Sequence, residues 1–189
     1  MKVKLTEVRI AFADIFVAKA IGDGDPRHSA RFIIKPKDPQ VKEIDAAIEA
    51  VAKEKWKDKA PAILAKIIKD GNCCFQKSDY LDKNGEPYDG FAGMYSLGAA
   101  NKAKPLVIDR DKSPLTQADG RPYAGCFVNA QVDIWAQDNA FGRRINASLS
   151  GVQFFKDGDA FTGGQAADPD DFDDLADTGA EEDADDLVN

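Results

Sequence analysis

Basic and aromatic residues alternate irregularly between residues 72 and 98, which is the part of the sequence richest in groups that contact ligands. In chain order the stretch contains Lys77, Tyr80, Lys83, Tyr88, Phe91 and Tyr95. Cationic side chains bind phosphates, and aromatic rings stack on nucleotide bases with about 1–3 kcal/mol per base. The pattern therefore matches what a groove for single-stranded nucleic acid requires. The alternative is that half of these rings are core residues, and we expect this of Phe91.

A second set of candidate contact residues lies on the alternating segment 124–136. One side of the alternation is apolar and comprises Cys126, Val128, Ala130, Val132 and Ile134. The other side is polar but carries two large rings, Phe127 and Trp135. Alternation of this length predicts a half-buried β-strand whose apolar side faces the core. We expect the two rings to form a stacking platform for bases or another flat ligand, with packing under a loop or helix as the alternative.

The residues that follow predict a partner strand for this segment. Residues 138–142 are rich in turn formers, and the run 143–155 alternates again, with Ile145, Ala147 and Leu149 on its apolar face. We therefore predict a long antiparallel hairpin over residues 124–155. Its polar face carries Arg144, and Phe141 and Arg143 lie at its tip.

Further positive charge lies between residues 102 and 121, in predicted loops and turns that lead into the hairpin. Phosphate binding by Lys and Arg would make these residues part of the same groove. The complete set of candidate nucleic-acid contacts is Lys77, Tyr80, Lys83, Tyr88, Tyr95, Lys102, Lys104, Arg110, Arg121, Phe127, Trp135, Phe141, Arg143 and Arg144.

The charge of the chain is divided unequally between a body and a tail. Residues 168–189 contain 11 acidic residues and no basic one, whereas residues 1–167 contain all 25 basic residues and 22 acidic ones. The body is therefore mildly basic, and the tail is acidic, poor in apolar residues and expected to be disordered. It serves solubility alone, or it docks partner proteins and competes for the basic groove. The candidate docking residues are Asp170, Asp171, Phe172, Asp173, Asp174 and Leu175.

Sequence patterns for catalysis and for metal binding are missing. The chain has neither a GxSxG nucleophile elbow nor a GxxxxGK[ST] or GxGxxG phosphate loop. His28 is the only histidine, and we expect it at the surface. The three cysteines lack the spacing of zinc ligands, and their odd number favours reduced thiols in the cytosol. No signal peptide or membrane-spanning segment is recognisable. We expect no enzymatic activity, no cofactor and no membrane association.

The elements before the candidate groove combine short strands with a helical pair. In the first strand, Lys2 to Phe12, the apolar set shifts from Val3 and Leu5 to Val8, Ile10 and Phe12, which predicts a β-bulge. A second strand is predicted over residues 31–35. Apolar spacings of three and four residues then predict a helix over 41–57, and a second helix begins near Pro61. The body is thus predicted as a small β-barrel with a helical insertion at about residues 40–69.

Three segments carry a resemblance to a known family. They are KPLVIDR (104–110), YAGCFVNA (123–130) and GVQFFKDG (151–158), and they resemble bacteriophage single-stranded-DNA-binding proteins. The order of motifs matches over most of residues 1–167, and Asp170-Asp171-Phe172 is similar to the acidic tails of such proteins. The resemblance implies an OB-fold, a five-stranded Greek-key barrel. It also implies a protein that coats exposed strands during phage replication, recombination or repair, in the cytoplasm of the infected bacterium.

The sequence departs from the simplest version of this family in two places. The helical pair 40–69 is large and follows the second strand, and the chain ends in Leu187-Val188-Asn189 rather than in an aromatic residue.

Two other functions stay open at this point. One is an interaction or regulatory protein whose acidic tail mimics DNA, and the other is a small nuclease, which needs a fixed carboxylate cluster that the sequence does not reveal. A homodimer is also compatible with exposed barrel edges.

Overall fold

The computed structural model describes residues 1–20 and 24–161. Within these residues the strands are β1 (Lys2–Lys19), β2 (Arg27–Ile34), β3 (Phe75–Gln76), β4 (Tyr95–Asn101), β5 (Leu106–Ile108), β6 (Phe127–Asn139) and β7 (Gly142–Lys156). The α-helices are α1 (Gln40–Trp56) and α2 (Ala60–Lys69), and short 3-10 helices lie at Lys57–Lys59 and Gln117–Asp119.

The five long strands form a barrel in the antiparallel order β4-β2-β1-β6-β7. Segment 72–76 closes this barrel between β4 and β7. The Cys74 amide donates to the Ile145 carbonyl at 2.8 Å, the Ile145 amide donates to the Asn72 carbonyl at 3.0 Å, and the Gly98 amide donates to the Cys74 carbonyl at 2.9 Å. Strand β3 belongs to this segment, and β5 adds a short parallel strand beside β7. The predicted five-stranded barrel is therefore confirmed.

The hairpin β6–β7 is the longest paired unit of the barrel, as the alternation predicts. Its register runs from Phe127 opposite Lys156 to Asn139 opposite Gly142, so that Ala140 and Phe141 form a two-residue loop. All the residues assigned to the core faces of these two strands are buried: Cys126, Val128, Ala130, Val132, Ile134, Ile145, Ala147 and Leu149.

Strand β1 contains three breaks in register, of which the sequence predicted one, and the last of them lies between Asp14 and Lys19. The first lies between Leu5 and Val8 and is confirmed by a register shift against β6. The second lies between Ala11 and Asp14 in the pairing with β2. It turns Phe12 outward to 43% exposure, and Ile15 takes the next core position. The assignment of Phe12 to the apolar core set was therefore wrong, because a second break in the alternation was not visible in the sequence.

The helical pair is present after β2 and packs against the barrel. Helix α1 buries its predicted stripe of Val41, Ile44, Ile48 and Val51, together with Trp56. The indole Nε1 of Trp56 donates to Asp138 Oδ2 at 2.8 Å, which attaches the end of α1 to the end of β6.

A small second core lies on the outside of the barrel, where the segment between β3 and β4 covers β1 and β2. Phe91 is only 1% exposed and packs with Ala11 and Ile33, as predicted for this ring. His28 is also buried, so its assignment to the surface was wrong. It occupies an inward position of β2, on the same side as the core residue Ala30, because side chains alternate along a strand.

Candidate nucleic-acid interface

A cleft of about 800 Å³ runs across the outward faces of β6, β7, segment 72–76, β4 and β2 to β1. Since side chains alternate along strands, each strand contributes every second residue to this surface. Trp135, Asn146, Gln76, Gly98 and Arg31 are examples from successive strands. The cleft therefore follows from the strand order and not from a single loop.

Small residues leave space in the middle of the cleft. Ser29, Gly98 and Ala100 all line it. A Cβ atom on Gly98 would lie 3.0 Å from Nη2 of Arg31, a contact so close that the guanidinium would have to move. Glycine at this position therefore leaves room for the Arg31 side chain to lie across β4.

Trp135 and Tyr80 are the predicted stacking residues that line the cleft. The Trp135 ring is 42% exposed, and its Nε1 donates to Ser148 Oγ at 3.0 Å, which fixes the indole across the β6–β7 pair. The Arg31 guanidinium lies 3.9 Å from the Tyr80 ring centroid, a cation–π contact. Tyr88 stacks beside Tyr80 at 5.5 Å between centroids and is 39% exposed. The geometry thus provides partly open aromatic rings on two walls.

Four cationic side chains line the cleft: Arg27, Arg31, Lys102 and Arg144. Lys102 forms an ion pair with Asp25, and this contact holds the pKa of Asp25 below its ordinary value. Burial lowers the pKa of Arg31 from its ordinary value, and its Nη1 donates to Ser96 Oγ at 3.1 Å. Arg27 and Arg144 form no ion pair with any residue that the structure describes. These two arginines are the most available to phosphates.

The structure brings four of the predicted contact residues into the cleft, namely Tyr80, Lys102, Trp135 and Arg144, with Tyr88 adjacent to Tyr80. Sequence reasoning missed Phe12, Arg27 and Arg31. Alternation along β2 gave a signal for the two arginines, because both occupy outward positions of that strand. The sequence held no comparable signal for Phe12.

Three predicted residues lie at the opposite end of the barrel. The Phe127 ring is half-buried, with Lys156 Nζ 4.8 Å from its centroid. Arg121 pairs with Asp109 at 2.7 Å, and Arg121 and Arg110 lie 5.3 and 6.0 Å from the Phe154 ring. These side chains do not line the cleft, and their role in nucleic-acid binding stays a prediction.

The remaining predicted residues are dispersed. Lys77 pairs with Asp45 of α1 at 2.7 Å, and Tyr95 is half-buried with its ring edge-on to Phe75 at 5.9 Å. At the hairpin tip, Phe141 is 89% exposed and Arg143 pairs with Asp138 at 3.2 Å. Two further lysines, Lys83 and Lys104, are exposed in loops. None of these six residues lines the cleft.

The last described residues are fixed to the outside of the barrel by Arg9. Its Nε donates to the Gly125 carbonyl at 3.0 Å and its Nη2 donates to the Asp159 carbonyl at 2.6 Å. The guanidinium also lies 4.2 Å from the Phe161 ring, which packs against the same outer core as Tyr80. The predicted docking residues 170–175, and the acidic segment 168–189 as a whole, lie outside the described residues.

Two further findings concern the described part of the chain. No helix in residues 1–20 and 24–161 is long and apolar enough to cross a membrane. The same residues contain no group of three or more His, Cys, Asp or Glu side chains arranged to hold a metal ion.

The barrel, its helical insertion and its aromatic and basic cleft define an OB-fold protein with a surface suited to an extended polyanion. A family model described as "Enterobacter phage Enc34, ssDNA-binding protein" matches residues 1–188. The chain belongs to this family, which confirms the resemblance seen in the sequence. A curated relative, "Putative protein p50" of Acyrthosiphon pisum secondary endosymbiont phage 1, is 46% identical over 180 residues, covering 93% of this chain and 95% of that protein.

Solved structures of phage proteins share the fold. The single-stranded DNA-binding protein from bacteriophage Enc34, in complex with ssDNA, has a TM-score of 0.69 at 24% identity, and the match covers 85% of this chain and 89% of that one. Bacteriophage T7 gp2.5, a single-stranded DNA binding protein, has a TM-score of 0.55 at 11% identity, with 88% and 98% coverage. At these identities the likeness establishes the common fold.

Proposed function

We propose that the protein binds single-stranded DNA in the cleft, without enzymatic activity and largely independently of sequence. The observation that carries the proposal is the convergence of Trp135, Tyr80 and four cationic side chains on one surface. Rings that stack on base faces tolerate any base, and cations that contact phosphates read no sequence. Such a protein coats and protects exposed strands in phage replication, recombination or repair, in the cytoplasm of the infected host.

Family membership favours this function over an interaction protein that acts only through a DNA-mimicking tail. The two functions make different predictions for the body. The alternative predicts no DNA binding by residues 1–167, whereas the cleft predicts binding that weakens as salt rises, because phosphate neutralisation releases counterions.

Fluorescence titration with oligo-dT tests the proposal directly. Trp56 is 7% exposed and Trp135 is 42% exposed, so quenching by bound DNA should report mainly Trp135. Loss of one stacking ring costs about 1–3 kcal/mol, and Trp135→Ala is therefore expected to bind about 5- to 150-fold more weakly. Leu106→Ala is a matched control, because this exposed β5 residue does not line the cleft. The binding of Trp135→Ala must be followed by anisotropy of a labelled oligonucleotide. Affinity equal to that of the wild type would exclude Trp135 as a stacking residue.

For the tail we propose two roles, competition with DNA for the cleft and recruitment of replication or recombination proteins. The supporting observations are its 11 acidic residues without a base and the packing of Phe161 against the same outer core as the cleft residue Tyr80. Removing residues 168–189 should tighten DNA binding at low salt and abolish partner recruitment. The difference in affinity should shrink as salt rises, because screening weakens the competing charge.

A full-length variant separates the two roles of the tail. It carries Asp170→Asn, Asp171→Asn, Asp173→Asn and Asp174→Asn but keeps Phe172 and Leu175. Charge competition predicts tighter DNA binding in this variant, whereas apolar docking predicts that partner capture is partly retained. Equal DNA affinity of the truncated and full chains at low salt would reject competition.

The predicted homodimer is tested separately by sedimentation of the full chain with and without DNA.

A further inference from the structure

Phe12 adopts a backbone conformation that its sequence context does not require. Its φ is +49°, in the left-handed region, which is unfavourable for any residue with a Cβ. Continued alternation after Val8 and Ile10 would instead place the ring in the core. The second bulge of β1 therefore keeps a large apolar ring out of the core in a strained conformation. Glu7 at the first bulge has a similar φ of +52° but does not line the cleft, so the exposed ring together with the backbone angle points to a function at Phe12.

The Phe12 ring is held in place by other aromatic residues but is not covered by them. The rings of Tyr88 and Tyr80 meet it at 84° and 71°, with centroids 5.1 and 5.8 Å away, and Phe91 lies at 6.0 Å. Phe12 is nevertheless 43% exposed and lines the cleft on the β1 side. Trp135 lines the same cleft from β6. Burial of apolar surface alone does not account for this arrangement, because the inward position would bury the ring completely.

We propose that Phe12 is a base-stacking residue, which forms with Tyr80 a second stacking subsite of the cleft. This inference rests on the proposed function and extends it by adding Phe12 to the stacking rings of the cleft. The bulge is the device that creates the subsite, because it turns the Phe12 ring from the core to the cleft. Arg31, stacked on Tyr80, supplies a positive charge next to it.

A purely structural role for Phe12 makes different predictions. In that case the ring serves only to complete the outer core around Phe91, and its removal destabilises the fold without weakening DNA binding by the folded protein. Phe12→Gly distinguishes the two roles, because glycine adopts positive φ without steric cost. The stacking role predicts DNA binding about 5- to 150-fold weaker than wild type in the folded variant. Phe12→Leu should show a similar loss, since leucine keeps an apolar side chain but provides no ring.

A tryptophan at position 12 gives a direct readout of stacking. In a Trp135→Phe background, Phe12→Trp places a new fluorophore in the subsite, while the buried Trp56 gives a constant background. We expect oligo-dT to quench this tryptophan. Val17→Trp in the same background is the matched control, because residue 17 is exposed on the same strand but does not line the cleft. It should not be quenched.

The outcomes separate this inference from the proposed function. If oligo-dT quenches the wild-type protein but not Phe12→Trp, or if Phe12→Gly and Phe12→Leu bind DNA as tightly as wild type, the second subsite is refuted and the cleft is retained. If the wild-type protein does not bind oligo-dT at all, the proposed function itself fails. Quenching of Phe12→Trp together with weaker binding by Phe12→Gly establishes the subsite.

Discussion

Replacing Arg144 by glutamine should reduce the salt dependence of DNA binding, whereas the same change at the neighbouring Arg143 should not. Arg144 lines the cleft and has no ion-pair partner among the described residues. Arg143 points to the hairpin tip and is paired with Asp138 at 3.2 Å. The two residues are adjacent in sequence and identical in chemistry, so that each is the natural control for the other.

The magnitude follows from the number of cations in the cleft. Each phosphate neutralised on a single strand contributes about −0.7 to the slope of log K against log salt concentration. The four cationic side chains of the cleft set a maximum slope of about −2.8, equivalent to roughly 50-fold weaker binding between 0.1 and 0.4 M salt. If the ion pair of Lys102 and the contacts of Arg31 persist, only Arg27 and Arg144 contribute, and the slope is about −1.4.

The assay is a series of oligo-dT titrations over this salt range, with wild type, Arg144→Gln and Arg143→Gln measured in parallel. We expect the slope of Arg144→Gln to be less steep than that of wild type by about 0.7. Arg143→Gln should retain the wild-type slope. Equal slopes for all three proteins, or an equal reduction in the two variants, would refute the assignment of phosphate contacts to the cleft.

Two further predictions concern stability. A Cβ on Gly125, where φ is +107°, would lie 2.2 Å from the Asp159 carbonyl oxygen. Gly125→Ala should therefore lower the free energy of unfolding by roughly 2–4 kcal/mol. Gly120→Ala should lower it by only about 1 kcal/mol, because φ is +67° there but the space around the Cβ is open. Denaturant unfolding compares the two variants, and equal losses would contradict the close approach. The hydrogen bond that Trp56 donates to Asp138, together with the hydrogen bond and charge of Arg143, holds the pKa of Asp138 below its ordinary value. The contribution of these contacts to the stability of the fold is therefore present above about pH 4 and is lost as pH falls through the lowered pKa. The difference in thermal midpoint between wild type and Trp56→Phe should therefore be larger at pH 6 than at pH 3, and a constant difference would show that packing alone anchors the indole.

Periodicity in the sequence was sufficient to predict most of the barrel. The core faces of β6 and β7 and the stripe of α1 are visible because burial on one side forces apolar residues into a regular spacing. The first bulge of β1 was predictable for the same reason, since Leu5 and Val8 both need to be buried but lie three positions apart, which places them on opposite faces of a regular strand. The strand order was available only through the family resemblance.

The candidate site was less predictable, because it depends on which residues become neighbours after the barrel closes. Lys77 and Lys102 are similar in sequence context, yet one pairs with a helix and the other lines the cleft. Arg31 lies on a short apolar strand, and nothing local indicates that it will stack on Tyr80 from another element. Phe12 is the clearest case, because the alternation places its ring in the core and only a strained backbone turns it outward.

The closure of the barrel at segment 72–76 links DNA occupancy to the dynamics of the protein. This segment is paired with β4 through β3 and the Cys74 carbonyl, and its described backbone hydrogen bonds to β7 are those of Ile145 with Cys74 and Asn72; the cleft passes directly over it. A strand of DNA that contacts β7 on one side and β4 on the other therefore spans the joint and opposes its opening. Amide hydrogen exchange at Cys74, Ile145 and Gly98 should be faster in the free protein than in the protein saturated with DNA, because bound DNA opposes the local opening of the barrel at this segment.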